Sequence, residues 1–357
     1  MRYPPFYDPE KTLEENYAHG PYGPFADGQV YKDEGEPTAD YLGHKIYVPF
    51  GIAAGPLYND RFVKAALDKG FNLVTHKTVR TGKFKSNPFP NILGLPKING
   101  DLKFEDAEKG ILATNEYQEP LNILNSFNNP SYEPEVWQKD LHDILSHLRK
   151  GQVLSCSIEP LPNSDPDAFI EDWVYGAKLI KETGVDIIEL NTSCPNAGKT
   201  DLLCFDINRM KTIVEKVKNA IGDAKLIIKL AYFQDESKLE ELIRAIGGSI
   251  DAVAAINTIS AKIIDEKGNL KLTGGRERAG VSGDSIRYLG LETTRRLKSI
   301  REKYNLDYTI IGIGGVMSPK HYFEYRESGA DAVMGITGIL WNPYLAQEIK
   351  EAIKKDK

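Results

Sequence analysis

The segment Glu189-Leu190-Asn191-Thr192-Ser193-Cys194-Pro195-Asn196 leaves an apolar run and turns into a loop that contains Gly198 and Lys199. It places a thiol and two amides at the C-terminal end of a strand. An amide offers a planar ligand both a donor and an acceptor, and a cysteine offers a group of pKa about 8.5 that exchanges a proton near neutrality. A plainer reading makes Cys194 a small buried hydrophobe and Asn191 a turn residue. The segment by itself leaves both open.

Two lysines also end apolar runs: Lys77 in Val74-Thr75-His76-Lys77-Thr78 and Lys229 in Leu226-Ile227-Ile228-Lys229-Leu230. An ammonium in such a place is costly unless something negative meets it. A flavin that becomes anionic on reduction would supply that charge; a strand end from which the lysine reaches solvent is the alternative. Nearer the C-terminus, Ile311-Gly312-Ile313-Gly314-Gly315-Val316 is followed by Gly335-Ile336-Thr337-Gly338. Glycines let backbone N–H groups approach an anion, and barrels commonly hold phosphate in the loops after their last two strands. The same glycines also suit plain turns. Neither G-x-G-x-x-G after the first strand nor a G-x-x-x-x-G-K-S/T loop is present, so those nucleotide sites are not offered.

The elements that must position these residues alternate in type. Short β-branched runs at 45–52, 71–77, 121–127, 152–158, 185–191, 225–230, 251–257, 308–313 and 332–336 are separated by amphipathic stretches. That alternation predicts βα units and an α/β fold, a (β/α)8 TIM barrel. Nine candidates compete for eight barrel places, so one of them, for which 121–127 is a candidate, lies outside the ring, and periodicity alone does not choose it. Helix signals lie between them: Asp60 as a cap before Phe62, Val63, Ala66 and Leu67, Asp206 before Met210 and Ile213, and Ser318-Pro319 and Asn342-Pro343 as cap-then-proline starts. Residues 1–44, rich in Tyr, Pro, Gly and acid, show no period and read as an extended N-terminal arm to a 45–357 catalytic domain. The intervals 78–120 and 260–284 read as long active-site loops over the pocket.

Composition narrows the function classes. A net charge of -6 and a pI near 5.7 give no basic surface for nucleic acid or an anionic membrane, so a small-molecule substrate is expected. The N-terminus has no signal-like apolar stretch and no segment approaches the roughly 18 apolar residues of a membrane span, which predicts a cytoplasmic protein. The 3 cysteines form no C-x-x-C pair, so no metal site is expected.

Taken together, Ala53-Ala54-Gly55-Pro56, Lys77-Thr78, Asn125-Ser126, the Asn191 to Asn196 element, Lys229-Leu230, Asn257-Thr258, Gly280-Val281-Ser282-Gly283 and the Ile311 to Gly315 run resemble, in order, the class 1 dihydroorotate dehydrogenases. They are also similar to the pyrimidine-binding domain of dihydropyrimidine dehydrogenases. The resemblance implies FMN as cofactor and oxidation of dihydroorotate to orotate, with Cys194 moving the proton at C5 while hydride leaves C6. It implies that Lys77 and Lys229 hold the flavin ring with Ala54, Gly55 and Thr78 beside it. Gly283 would approach the ribityl chain, and Gly314, Gly315, Thr337 and Gly338 would cradle the phosphate. Asn125, Asn191, Asn257 and Thr258 would read the pyrimidine edge. A homodimer, and an electron-transfer partner subunit, are the partners such relatives suggest.

The chain departs from the class 1 pattern in places. After Asn125 it reads Ser126-Phe127-Asn128-Asn129-Pro130, without the glycine expected of a loop that wraps the orotate carboxylate. Gly274-Gly275-Arg276 lies closer to the dihydropyrimidine dehydrogenases, which makes dihydrouracil or dihydrothymine the alternative substrate. A dihydrouridine synthase fits less well, because the acidic balance argues against tRNA. A flavin-binding barrel without turnover would not need Cys194, both lysines and the asparagines together.

Overall fold

The computed structural model describes residues 3–194 and 202–356. Pro195, Asn196, Gly198 and Lys199, named above for the loop after Cys194, lie outside the described residues. In chain order the strands are β1 (Ala39–Tyr41), β2 (His44–Ile46), β3 (Phe50–Ile52), β4 (Leu73–Val79), β5 (Ile92–Gly94), β6 (Ile111–Leu112), β7 (Asn122–Asn125) and β8 (Val153–Ile158). They continue with β9 (Ile187–Asn191), β10 (Lys225–Leu230), β11 (Ala252–Ala255), β12 (Ile259–Ile264), β13 (Arg278–Gly283), β14 (Thr309–Ile313) and β15 (Ala332–Gly335).

Eight of them close a parallel barrel in the order β3-β4-β8-β9-β10-β11-β14-β15, with helices outside. This is the (β/α)8 barrel the sequence predicts, and the structure settles which of the nine candidates lies outside the ring: 121–127, as β7. The strand period explains the two-sided core. Ile227 enters the barrel-interior cluster with Ile187, Leu73 and Ile311, whereas Leu226, Ile228 and Leu230 join the layer between barrel and helices. Successive residues point to opposite faces and both faces are covered, so the strands read as continuous apolar runs. The same period puts Lys229 on the face of Ile227, and Glu189 and Asn191 on the face of Ile187, at the strands' C-terminal ends.

Helix ends follow the sequence with local shifts. Asn59, not Asp60, caps the helix Asp60–Asp68 by accepting from Phe62 N, and Asp60 occupies its first turn. Asp206 caps Ile207–Ile221 and Ser318 precedes Pro319–Glu327. The last helix, Leu345–Lys355, begins after Asn342-Pro343 because the Asn342 side chain accepts from Tyr344 N instead.

The intervals 78–120 and 260–284 are not structureless. With β7 they form a second sheet in the order β5-β7-β13-β12-β6, antiparallel except for the β12–β6 pair. Pairing fixes a register, Gly280 opposite Asn125, that no local sequence signal carried. The arm is packed down as well. It contains the helix Leu13–His19 with a Thr12/Glu15 capping box, and Phe6 is fully buried, its ring 5.8 Å from Phe62 and its N–H donating to Leu340 O. Burying a phenylalanine of this kind contributes on the order of 2–3 kcal/mol. The β1–β2 hairpin places Tyr41 and Ile46 in the barrel-interior cluster, where they close the end opposite the strands' C-termini.

Candidate active site

At the C-terminal end of the barrel a cavity with about 840 Å3 of empty space, its open mouth included, is lined by residues from three layers of structure. The barrel supplies Ala54, Gly55, Lys77, Glu189, Asn191, Cys194, Lys229, Asn257 and Thr258. The second sheet supplies Ile92, Ile123, Asn125 and Ser282, and the arm supplies Tyr7. Tyr7 stacks edge-on to Phe127 at 5.7 Å, and Phe127 to Tyr58 at 5.8 Å, forming an apolar wall.

Local structure explains how neighbouring residues both reach this site. Between His76 and Val79 the register of β4 against β8 shifts, a bulge that re-aims side chains. Lys77 lines the cavity, while Thr78 Oγ1 donates to Ser157 Oγ at 3.1 Å and accepts from Asn191 Nδ2 at 3.2 Å. Asn257 Nδ2 in turn donates to Asn191 Oδ1 at 3.3 Å and to Ser193 Oγ at 3.1 Å. The amides therefore form a fixed array along one side. Asn125 Nδ2 donates to Gly280 O at 3.4 Å across the β7–β13 register. Arg276 fastens the loop after Asn125, its guanidinium donating to Ser126 Oγ at 2.6 Å and to Pro88 O at 2.6 Å.

The electrostatics are those of a buried, cation-bearing pocket. Burial pushes the Lys77 ammonium down to about 8, against the opposing pull of the Cys194 thiol, Glu159 and Glu189. Lys229, also buried, makes no ion pair among the described residues. Burial also lowers His76 to about 4, so its imidazole is neutral at pH 7. Cys194 is half-buried on the wall, unlike Cys156 and Cys204, whose thiols burial pushes upward and which read as inert core.

The glycine set lies at the other end, beyond Ser282. Thr337 Oγ1 donates to Ser282 Oγ at 3.0 Å, linking the short helix Thr337–Trp341 to the cavity wall. Gly315 has φ +64, and a Cβ there would stand 2.7 Å from Gly283 O. Gly314 has φ +131. Gly338 borders a neighbouring cleft with Arg287 and His321. A Cβ at Gly314, Gly315 or Gly338 would meet protein atoms, Tyr325 Oη at 3.1 Å, Arg287 Cβ at 2.6 Å and Val316 O at 2.7 Å, so close packing requires these glycines, and none of them lines the cavity of Cys194.

Among the polar residues of this wall, sequence reasoning gave no site role to five: Tyr7, Tyr58, Asn129, Glu189 and Ser282. Glu189 was legible as a carboxylate inside the apolar run Ile187-Ile188-Glu189-Leu190. Its Oε1 is buried with no hydrogen-bond partner among the described residues. Tyr7 had no local signal, since only tertiary packing brings the arm here.

A planar, hydrogen-bonding ligand carrying negative charge fits this arrangement. Residues 120–356 match the family model for dihydroorotate dehydrogenase. A dihydroorotate dehydrogenase of Dictyostelium discoideum is 33% identical over 96% of this chain and 96% of its own length. The chain belongs to the dihydroorotate dehydrogenase family. It is accordingly an oxidoreductase of a flavoenzyme family. Other members are similar at lower identity: the catalytic subunit of an NAD(+)-linked dihydroorotate dehydrogenase B of Thermodesulfovibrio yellowstonii, 29% over 67% of this chain and 74% of that one, and a quinone-type dihydroorotate dehydrogenase of Bordetella pertussis, 24% over 89% and 85%. The crystal structure of DHODH from Eimeria tenella in complex with ferulenol shares the fold, with a TM-score of 0.70 at 17% identity over 92% of this chain and 86% of that one. No described helix is long and apolar enough to cross a membrane, and no group of three or more His, Cys, Asp or Glu among the described residues could hold a metal ion.

Proposed function

We propose that this dihydroorotate dehydrogenase family member binds FMN and oxidises dihydroorotate to orotate, with Cys194 as the group that takes the C5 proton. The observation that carries the reading is one cavity in which a half-buried thiol, two buried ammoniums and four carboxamides converge. The residues present fit the cofactor. Lys77 and Lys229 line the cavity as buried ammoniums, the charge that an anionic isoalloxazine edge would meet, and Gly314 and Gly315, at φ +131 and +64, leave backbone without a Cβ at the strand end where a phosphate would bind.

Bound there, FMN would supply the hydride acceptor for C6 of the ring. Lys77 and Lys229 place positive charge where negative charge develops, and the buried aromatic wall of Tyr7, Tyr58 and Phe127 leaves little room for water to screen it. Asn125, Asn191 and Asn257 orient the ring by matching its alternating N–H and C=O groups. Cys194 removes the C5 proton, so a hydride and a proton leave the substrate and the ring gains one C=C bond. Ser126, Phe127 and Asn128 form the loop that faces the substituent at C6. The expected glycine is replaced, yet Asn128 and Asn129 adopt φ +66 and +45, the conformation a glycine would supply there. The turn therefore keeps a glycine-like backbone without a glycine.

Anaerobic mixing of the yellow protein with dihydroorotate, and separately with dihydrouracil, tests the substrate. Loss of the visible flavin band with dihydroorotate alone is the expected result. Bleaching by dihydrouracil alone would transfer the chain to pyrimidine degradation, and a protein that holds no flavin would defeat the reading.

A further inference from the structure

The ends of three strands meet around Lys77. Its Nζ donates to Asn129 Oδ1 at 2.6 Å, and Asn129 Nδ2 donates to Glu159 Oε2 at 2.5 Å. Glu159 Oε1 pairs with the Arg80 guanidinium at 3.1 Å, and Arg80 Nε returns to the Asn129 carbonyl at 2.9 Å. Arg80 also donates to Pro160 O and is only 2% exposed. The ring closes on itself: Lys77 and Arg80 come from β4 and its exit, Asn129 from the turn after β7, and Glu159 from the end of β8.

The order of groups in this ring matters. Glu159 accepts from the Asn129 amide N–H, which fixes the amide with its oxygen toward Lys77. A carboxylate in direct contact would neutralise the ammonium's field, whereas an amide orients the ammonium and leaves its charge for a ligand. The positive φ of Asn129 aims this side chain inward from the turn, and asparagine is among the few non-glycine residues that accept such a backbone.

We propose that Asn129, held by Glu159 and Arg80, is a positioning residue that fixes the Lys77 ammonium on the cavity wall and ties it to the substrate-facing turn at residues 125–130. The proposal deepens the reading of Lys77 as a cofactor-facing cation and rests on it. Through this link, the turn that carries Asn125 and the lysine beside the cofactor move as one piece. The charged groups facing Lys77 are the Cys194 thiol from the exit of β9, Glu159 from the end of β8, Arg80 from its own strand's exit and Glu189 from β9, with the neutral His76 imidazole next to it.

The test titrates Lys77 directly, by NMR of protein carrying labelled lysine side chains, with the signal assigned through Lys77→Met. Asn129→Gly removes the acceptor without backbone strain. The paired exchange Asn129→Asp with Glu159→Gln keeps every hydrogen bond in the ring but moves the negative charge next to the lysine. The expected order is a Lys77 pKa about one unit or more below wild type in Asn129→Gly, and above wild type in the exchange. FMN affinity, from fluorescence titration, is expected to fall about tenfold in the glycine variant, where the ammonium is no longer held, and to stay below wild type in the exchange, where a carboxylate neutralises the ammonium's field. Unchanged titration of Lys77 in Asn129→Gly would overturn the proposal, as would a lowered Lys77 pKa in both variants. A wild-type protein that binds no flavin would instead defeat the cofactor reading, since the lysine titration stands without it.

Discussion

Lys77→Met should make the flavin-free protein lose a specific pH dependence of stability. Lys77 is buried at 6% exposure, and burial lowers its pKa from 10.5 to about 8. Between those values the unfolded chain keeps a proton that the folded chain has released. Stability contributed by this site therefore rises with pH across that window, and the charged lysine is a burden on the fold below it. At about 1.4 kcal/mol per unit, the full difference is about 3 kcal/mol, of which about 2 kcal/mol appears between about pH 7 and pH 9.5. Methionine fills similar space without a charge, so the variant should be more stable than wild type near neutrality, and that advantage should shrink by about 2 kcal/mol at the alkaline end. The readout is the difference between the two proteins in urea unfolding, because the buried thiols of Cys156 and Cys204, whose pKa values are raised, act in the opposite sense in both. A wild-type minus variant difference that stays flat across this range would refute the argument that desolvation dominates at Lys77.

Cys194→Ala should retain the yellow colour and lose dihydroorotate-dependent flavin reduction by about a hundredfold or more, read by stopped-flow absorbance. Gly315→Ala puts a Cβ 2.6 Å from Arg287 Cβ at φ +64, and should weaken FMN binding by about tenfold or more in a fluorescence titration while leaving the fold's circular dichroism intact. Asp140, raised to about 7 first by burial and then by Asp60, carries a penalty that grows as pH rises from about 4 through 7. Asp140→Asn should therefore raise the melting temperature at pH 8 and much less at pH 5.

How much of this was written locally is clear from particular residues. The period of 2 and the strand-end positions of Lys77, Asn191 and Lys229 are local facts, since a residue's side of a strand follows from its neighbours two places away. That is why the barrel, and most of the cavity's barrel-borne lining, were legible. The place of Cys194 at a strand's C-terminal end, on the cavity wall, and the positive φ of Gly314 and Gly315 were legible for the same reason, because each is set within a few residues.

Tertiary structure alone decided the rest. Register between distant segments brought β7 and β13 together over the mouth, turning intervals that read as loops into a sheet. Packing of Phe6 and its neighbours carried Tyr7 from the arm to the cavity wall. The ring of Lys77, Asn129, Glu159 and Arg80 joins residues up to 82 positions apart, from Lys77 to Glu159. No window of sequence contains it, because which carboxylate meets which guanidinium depends on where three strands end in space.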